Sequence, residues 1–212
     1  MTKAKICGLK TPEAVRAALD GGAVYLGFNF FAASPRAVGP EAAARLAEPV
    51  RGRAKIAAVT VDADDDSLDL IVRTLRPDLV QLHGRETPAR ARAIAARTGA
   101  GVIKVFPVQV AADVDAAAAF DGLVEHLMFD TKPGADDERP GGLGRAFDWT
   151  LLAGRRFQRP HFLAGGLDPW NVAEAIALSG APLVDVSSGV ERGAGLKDAG
   201  LISAFLDAVA RA

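Results

Sequence analysis

The chain has 212 residues, of which half are hydrophobic, and its 25 basic and 26 acidic residues give a formal net charge of −1. This length suits one sizeable core, and we predict a single domain over residues 1–212. The balanced charge provides no electrostatic basis for binding nucleic acid or an anionic membrane. One cysteine excludes an internal disulfide, and no apolar segment reaches membrane-spanning or signal-peptide length, so we predict a cytoplasmic protein.

Eight short apolar segments alternate with longer amphipathic segments along the chain. These segments are nearly continuous in apolar residues, a pattern typical of parallel strands that are covered on both faces. The predicted strands are residues 5–6, 24–28, 55–61, 78–82, 101–105, 126–130, 161–164 and 183–186.

Helix start signals lie between the predicted strands. Thr11-Pro12, Thr87-Pro88 and Asp168-Pro169 each place a side-chain oxygen before a proline at the first helical position. The last helix follows Asp198, with apolar residues at helical spacing. The acidic run 62–66 is predicted to be a solvated turn.

Eight strands that each precede a helix or helical turn predict an α/β fold, a closed (β/α)8 TIM barrel. An open doubly wound sheet is the alternative, but it usually has fewer strands, and no G-x-G-x-x-G follows Ile6. In a barrel the chemistry lies in the loops after the strands. We therefore expect the polar groups of one mouth to come from the residues after each strand, which are Cys7, Asn29, Arg36, Asp62, His83, Phe106, Asp130, Gly165 and Asp185.

Two of these loops have the features of an anion site. Gly165 and Gly166 after strand seven allow close approach of the backbone. Ser187, Ser188 and Gly189 after strand eight can begin a helical turn whose N–H groups and dipole favour an anion. Because barrels frequently bind phosphate at these two loops, we predict that these five residues bind a phosphate monoester.

Six motifs then occur in order: KICGLKTPE, GFNFFAASPR, VQLHGRE, FDTK followed by GGLGRAFDW, LAGGLDPWNVAEAI and VDVSSGVERGAGLKD. Over residues 3–210 they resemble the phosphoribosylanthranilate isomerases of tryptophan biosynthesis. The resemblance implies a cofactor-free Amadori rearrangement of a small phosphorylated aldose amine by a monomer or homodimer. The chain departs from the usual family pattern at Lys10, Ala33, Leu143 and Ala194, none of which is a presumed catalytic group.

The resemblance gives roles to two residues of the predicted mouth. Cys7 matches the general base, and a thiol pKa of ~8.5 is close enough to neutrality for that task. Asp130 matches the general acid. It directly follows an apolar strand, and burial of this kind raises a carboxyl pKa so that the proton is retained.

Further residues are candidates for binding the substrate. Arg36 matches the residue that faces the anthranilate carboxylate, which a guanidinium holds through two parallel hydrogen bonds. Gln81 and His83 end strand four and are candidates for lining the pocket. Asp185 is a candidate partner for a ribose hydroxyl or the amine. A glycine-rich loop at 141–144 is hypothesised to close over the substrate.

No metal site is predicted from the histidines. His83 ends strand four, whereas His126 and His161 begin strands six and seven, at the opposite end of the barrel. No H-x-H or H-E-x-x-H spacing occurs, which weighs against a metal-dependent ribulose-phosphate epimerase.

Two other functions compete with the single-substrate isomerase. A dual-substrate isomerase of the tryptophan and histidine pathways typically has Asp at the position of Cys7. A non-catalytic barrel that binds a phosphorylated ligand has no need of Cys7, Asp130 and Arg36 together. The residues present therefore favour the single-substrate enzyme.

Overall fold

The computed structural model describes residues 1–132 and 146–212, and eight parallel strands within them close into a barrel. The strands are β1 (Lys3–Cys7), β2 (Tyr25–Asn29), β3 (Lys55–Thr60), β4 (Leu79–Leu82), β5 (Gly101–Val108), β6 (His126–Thr131), β7 (Phe162–Leu163) and β8 (Leu183–Val186). Because β1 pairs with both β2 and β8, the sheet has no free edge. The predicted (β/α)8 barrel is confirmed.

Helices connect the strands on the outside of the barrel. They are α1 (Pro12–Asp20), α2 (Pro40–Ala47), α3 (Asp65–Leu75), α4 (Pro88–Thr98), α5 (Ala111–Asp115), α6 (Val172–Ser179) and α7 (Ala199–Arg211), and a short hairpin of β9 (Glu191–Gly193) and β10 (Leu196–Lys197) precedes α7. The side chains of Thr11 and Thr87 cap α1 and α4 as predicted, and Asp198, which was predicted to precede the last helix, caps α7. Within the described ranges, no helix is long and apolar enough to cross a membrane.

One helix-start prediction and one turn prediction were wrong. α6 begins at Val172 rather than after Asp168, because the Asp168 carboxylate accepts hydrogen bonds from the N–H groups of Trp170 and Asn171 and closes a turn before the helix. The acidic run is not a simple solvated turn either. Its Asp64 caps α3 and the residues after Asp64 form the first helical turn.

The prediction that Phe106 faces the mouth was also wrong. β5 continues to Val108, so Phe106 lies inside the strand. Its ring points away from the barrel axis and packs edge-on against Phe120, with centroids 5.3 Å apart. Both faces of this strand carry apolar residues, so the sequence pattern did not determine where the strand ended.

The barrel interior divides into an apolar part and a polar part. Ala4 and Ile6 of β1 belong to the core between barrel and helices, so the alternate residues Lys5 and Cys7 point inward. The apolar part is a cluster made of Ala57, Leu79, Ile103, Val105, Met128, Phe162, Ala164 and Leu183. The polar part, towards the carboxyl ends of the strands, contains the buried side chains of Lys5, Gln81, Asp130 and Asp185 together with Cys7.

Candidate active site

Cys7 ends β1 inside the mouth and lies beside a buried ion pair. Lys5, two residues earlier on the same inward face, is completely buried. Its Nζ donates a hydrogen bond of 2.8 Å to Oδ1 of Asp185, which is its neighbour in the register of β8. The predicted substrate-binding carboxylate of Asp185 is therefore already paired with a lysine.

The environment of Cys7 works against ionisation of its thiol. Burial raises the pKa of Cys7, and this effect outweighs the lowering by the ammonium of Lys5. The carboxylate of Asp185 raises this pKa further, whereas Lys197 lowers it. The thiol form of Cys7 therefore predominates near neutral pH.

Asp130 stands at the end of β6 and is 7 % exposed. Its Oδ1 accepts a hydrogen bond of 2.8 Å from the N–H of Thr131, and its Oδ2 lies 3.5 Å from Nε2 of His83. That distance is too long for a good hydrogen bond, but it places His83 and Asp130 face to face. A cavity of about 30 Å³ connects Asp130 with Asp185 and with the two predicted phosphate loops.

A buried pair holds the loop that carries His83. Nζ of Lys104 on β5 donates to Oε2 of Glu86 at 2.9 Å and to the carbonyl of Gly84 at 2.7 Å. Glu86 in turn accepts from the N–H groups of Asp62 and Gly84. This set of bonds fixes the turn just after His83.

The two predicted phosphate loops are in close contact with each other. Gly165 has φ of +85°, and a Cβ on it would lie 2.3 Å from Oγ1 of Thr131, so a side chain is excluded there. A Cβ on Gly189 would lie 1.9 Å from the carbonyl oxygen of Leu167. Glycine at these positions lets the loops after β7 and β8 meet beside Asp130.

Backbone donors and one lysine surround this junction. Among the described residues, the N–H groups of Gly165 and Gly166 donate no hydrogen bond. Ser188 begins a short 3-10 helix that extends to Val190. Lys197 donates to the carbonyl of Ser187 at 2.7 Å. These groups make an anion-binding site of the predicted kind chemically feasible.

Arg36 lies on the loop after β2 and forms a buried pair that the sequence did not indicate. Its Nε and Nη2 donate to the two carboxylate oxygens of Glu191, at 2.7 and 2.8 Å. Lys197 donates to the same carboxylate at 2.7 Å. Burial raises the pKa of Glu191, but the bonds from Arg36 and Lys197 outweigh it and lower this pKa to about 2.

The loop of Arg36 is also tied to the loop after β1. Nζ of Lys10 donates a hydrogen bond of 2.8 Å to the carbonyl of Pro35. A Cβ on Gly195 would lie 2.3 Å from that same carbonyl oxygen. Lys10, which departs from the family pattern, thus fastens the residue before Arg36.

Gln81 is 1 % exposed on the inward face of β4, and its Oε1 has no hydrogen-bond partner among the described residues. This oxygen can accept a hydrogen bond from a ligand or from water. The predicted site residues all lie at the carboxyl-terminal end of the barrel strands. His126 and His161 lie at the opposite end, as predicted.

The sequence did not identify five charged residues that form ion pairs in or beside the site: Lys5, Glu86, Lys104, Glu191 and Lys197. Each is a buried charge whose partner lies on another element. In the described part of the chain, no three His, Cys, Asp or Glu side chains are grouped to hold a metal ion. The glycine-rich loop 141–144, predicted to close over the substrate, lies outside the described residues.

Comparison with known proteins identifies the likeness along the whole chain. A family model described as N-(5'phosphoribosyl)anthranilate (PRA) isomerase matches residues 4–208. An N-(5'-phosphoribosyl)anthranilate isomerase of Caulobacter vibrioides is 69 % identical over 210 residues, which cover 99 % of this chain and 96 % of that relative.

Solved structures agree with the sequence comparison. A structure of monomers of the dimeric phosphoribosylanthranilate isomerase of Thermotoga maritima aligns over 100 % of both chains, with 32 % identity and a TM-score of 0.85. A phosphoribosyl anthranilate isomerase in complex with reduced 1-(o-carboxyphenylamino)-1-deoxyribulose 5-phosphate also aligns over 100 % of both chains, with 31 % identity and a TM-score of 0.86.

Proposed function

Because the chain belongs to the N-(5'-phosphoribosyl)anthranilate isomerase family, it is an isomerase of tryptophan biosynthesis, and we propose that Cys7 and Asp130 are its base and acid. One observation carries this assignment. Asp185 bonds to Lys5 beside Cys7, and Asp185 also lines the same cavity as Asp130. The thiol thus lies beside the pair of Lys5 and Asp185, and the cavity that Asp185 lines is also lined by Asp130.

The reaction requires one proton donor and one proton acceptor. Asp130 donates its proton to the furanose ring oxygen, the bond from C1 to that oxygen breaks, and the nitrogen lone pair forms a protonated Schiff base. The thiolate of Cys7 then removes the C2 proton, and the released electron pair neutralises the iminium nitrogen. The enol amine that results tautomerises to the ketone, so no cofactor is needed.

The high pKa of the buried thiol is compatible with this role. The protonated Schiff base withdraws electrons and acidifies the adjacent C2–H bond, so a moderate base and a small thiolate fraction suffice. The acid remains in place between the two steps, since the backbone N–H of Thr131 holds one oxygen of Asp130.

The remaining predicted residues bind the two ends of the substrate. The ligand of a related structure combines a carboxyphenylamino group with a 5-phosphate. We assign the phosphate to the N–H groups around Gly165, Gly166 and Ser188, and the carboxylate to Arg36. Glu191 accepts two parallel hydrogen bonds from Arg36 and thereby orients the plane of its guanidinium group.

Two further properties belong to the proposal. A related enzyme from Thermotoga maritima is described as dimeric, and a monomer or a homodimer is expected here. The single cysteine, which cannot form an internal disulfide, favours a reducing compartment such as the cytoplasm.

The test is turnover of freshly prepared phosphoribosylanthranilate, whose fluorescence falls on conversion. We expect Cys7→Ala to reduce kcat/KM by about 10²- to 10⁴-fold, which is the usual contribution of a positioned acid or base. A normal rate in Cys7→Ala would remove the base assignment. Turnover of the histidine-pathway aminoaldose by the unaltered protein would favour the dual-substrate enzyme, and absence of any turnover would favour a binding protein.

A further inference from the structure

Among the described residues, Lys5 is the charged residue with the lowest exposure. It is 0 % exposed and stands on the inward face of β1, between the apolar cluster and the mouth. Burial lowers the pKa of Lys5, but the charges of Asp185 and Cys7 outweigh burial and raise it overall. Burying a charged lysine costs free energy unless oppositely charged partners compensate for the lost water.

The neighbouring strand β2 leaves room in which Lys5 and Cys7 approach each other. Cys7 is in register with Gly27 of β2. A Cβ on Gly27 would lie 3.1 Å from Sγ of Cys7 and 3.1 Å from Nζ of Lys5. The absence of a side chain at Gly27 therefore leaves one shared space for the thiol and the ammonium.

The charged groups around Cys7 come from three elements. Lys5 of β1 and Lys197 of β10 favour the thiolate, whereas Asp185 of β8 disfavours it. β2 contributes Gly27 and no charge. Lys197 is already committed to Glu191 and to the carbonyl of Ser187, which leaves Lys5 as the closer source of positive charge for a thiolate.

We propose that Lys5 is a positioning residue for the reaction: its ammonium group, held by Asp185, stabilises the thiolate of Cys7. The proposal rests on the assignment of Cys7 as the base. When the thiol loses its proton to water, the new negative charge lies beside Nζ of Lys5. When the thiolate takes the C2 proton from the substrate, the charge disappears and Lys5 returns to Asp185 as its sole anionic partner within the described residues.

The test uses the fact that Cys7 is the single cysteine of the chain, so alkylation by iodoacetamide reads this thiol directly. The alkylation rate of the whole protein is measured against pH by mass spectrometry, and the midpoint of the curve gives the pKa of Cys7. We expect Lys5→Gln to move the midpoint upward by about one pH unit or more. Asp185→Asn should move it downward, because the charge of Lys5 is then no longer shared.

The direction in which the midpoint moves separates an effect of the Lys5 charge on the thiol from a loss of structure. A variant that merely loosens the barrel exposes the thiol, and exposure lowers its pKa. Lys104→Gln is the matched control, because Lys104 is also buried and pairs with a carboxylate at 2.9 Å, but it does not act on Cys7. This control should leave the midpoint unchanged.

An unchanged or lower midpoint in Lys5→Gln would overturn the proposal. If Lys5→Gln fails to fold, Lys5→Met replaces it, because Met keeps an unbranched side chain without the charge, and an unchanged or lower midpoint in that variant also overturns the proposal. The experiment contains no substrate, so its result is independent of whether Cys7 is the base. Midpoints that shift as expected, together with full activity in Cys7→Ala, would refute the assignment of Cys7 as the base, whereas the effect of the Lys5 charge on the thiol would stand.

Discussion

The interior of the barrel has an apolar bottom and a charged mouth, and the same strands contribute inward-facing residues to both. Met128 and Asp130 are two residues apart on β6, and both are buried and point inward. Met128 packs in the apolar cluster, whereas Asp130 faces His83 and the cavity. One strand thus contributes to the apolar core at one level and to the candidate active site at the next.

The energetic consequences of the two regions differ. Burial of apolar area at the bottom of the barrel stabilises the fold by about 25 cal/mol per Å². Buried ion pairs such as Lys5 with Asp185 are weak contributors to stability, because desolvation offsets most of the attraction. The charges at the mouth are therefore better explained by what they do to a ligand than by what they do for folding.

The largest expected effect concerns the acid. Asp130→Asn keeps the shape of the side chain and removes the donated proton. We expect kcat to fall by about 10³-fold with little change in the free energy of unfolding, since Oδ1 of Asp130 accepts a backbone hydrogen bond only from its chain neighbour Thr131 among the described bonds, and Asn can accept it equally well. Steady-state kinetics and urea unfolding check both parts. A large loss of stability would show that Asp130 is structural.

Substitution two residues earlier should give the opposite result. Met128 is 0 % exposed, and Met128→Ala leaves a cavity in the apolar cluster. We expect the free energy of unfolding to fall by about 2–5 kcal/mol, with kcat of the folded protein unchanged. A tenfold lower kcat in a fully folded sample would show that the two regions are coupled.

A smaller effect is expected from His161 beside β7. Burial lowers the pKa of His161 to about 4, and its ring packs against Phe157 with centroids 4.8 Å apart. As pH is lowered, His161 of the unfolded chain binds a proton near pH 6.5, whereas folded His161 binds one only near pH 4. The free energy of unfolding therefore has its full value above pH 6.5 and falls between pH 6.5 and about 4. At pH 5 the loss is about 2 kcal/mol.

His161→Phe should remove this part of the pH dependence. Urea unfolding of both proteins at pH 5 and pH 7 measures it. An equal loss of stability on acidification in both proteins would assign the dependence to other groups.

Much of the fold was predictable because the signals were local. Thr11 and Thr87 each precede a proline, and the structure uses both as helix caps. The apolar strands and their order defined the barrel, and the residues after the strands defined the mouth. Phe106 was misplaced because a strand that is apolar on both faces has no periodic signal to mark its end.

The partners of the site residues were not predictable in the same way. Lys5 and Asp185 are 180 residues apart, and Arg36 and Glu191 are 155 residues apart. Such pairs exist only after the barrel has closed. One signal was present: in KAKIC, Lys5 alternates with Ala4 and Ile6, which indicates a charged residue on the inward face.

The pH dependence of two variants tests most directly whether the mouth works through a thiol base. In Asp130→Asn the residual kcat/KM depends on the thiolate of Cys7, whose pKa burial raises, so it should increase about tenfold per pH unit between pH 7 and 8.5. In Cys7→Ala this thiolate is absent, and the increase should be lost. The same tenfold increase in both variants would contradict the account.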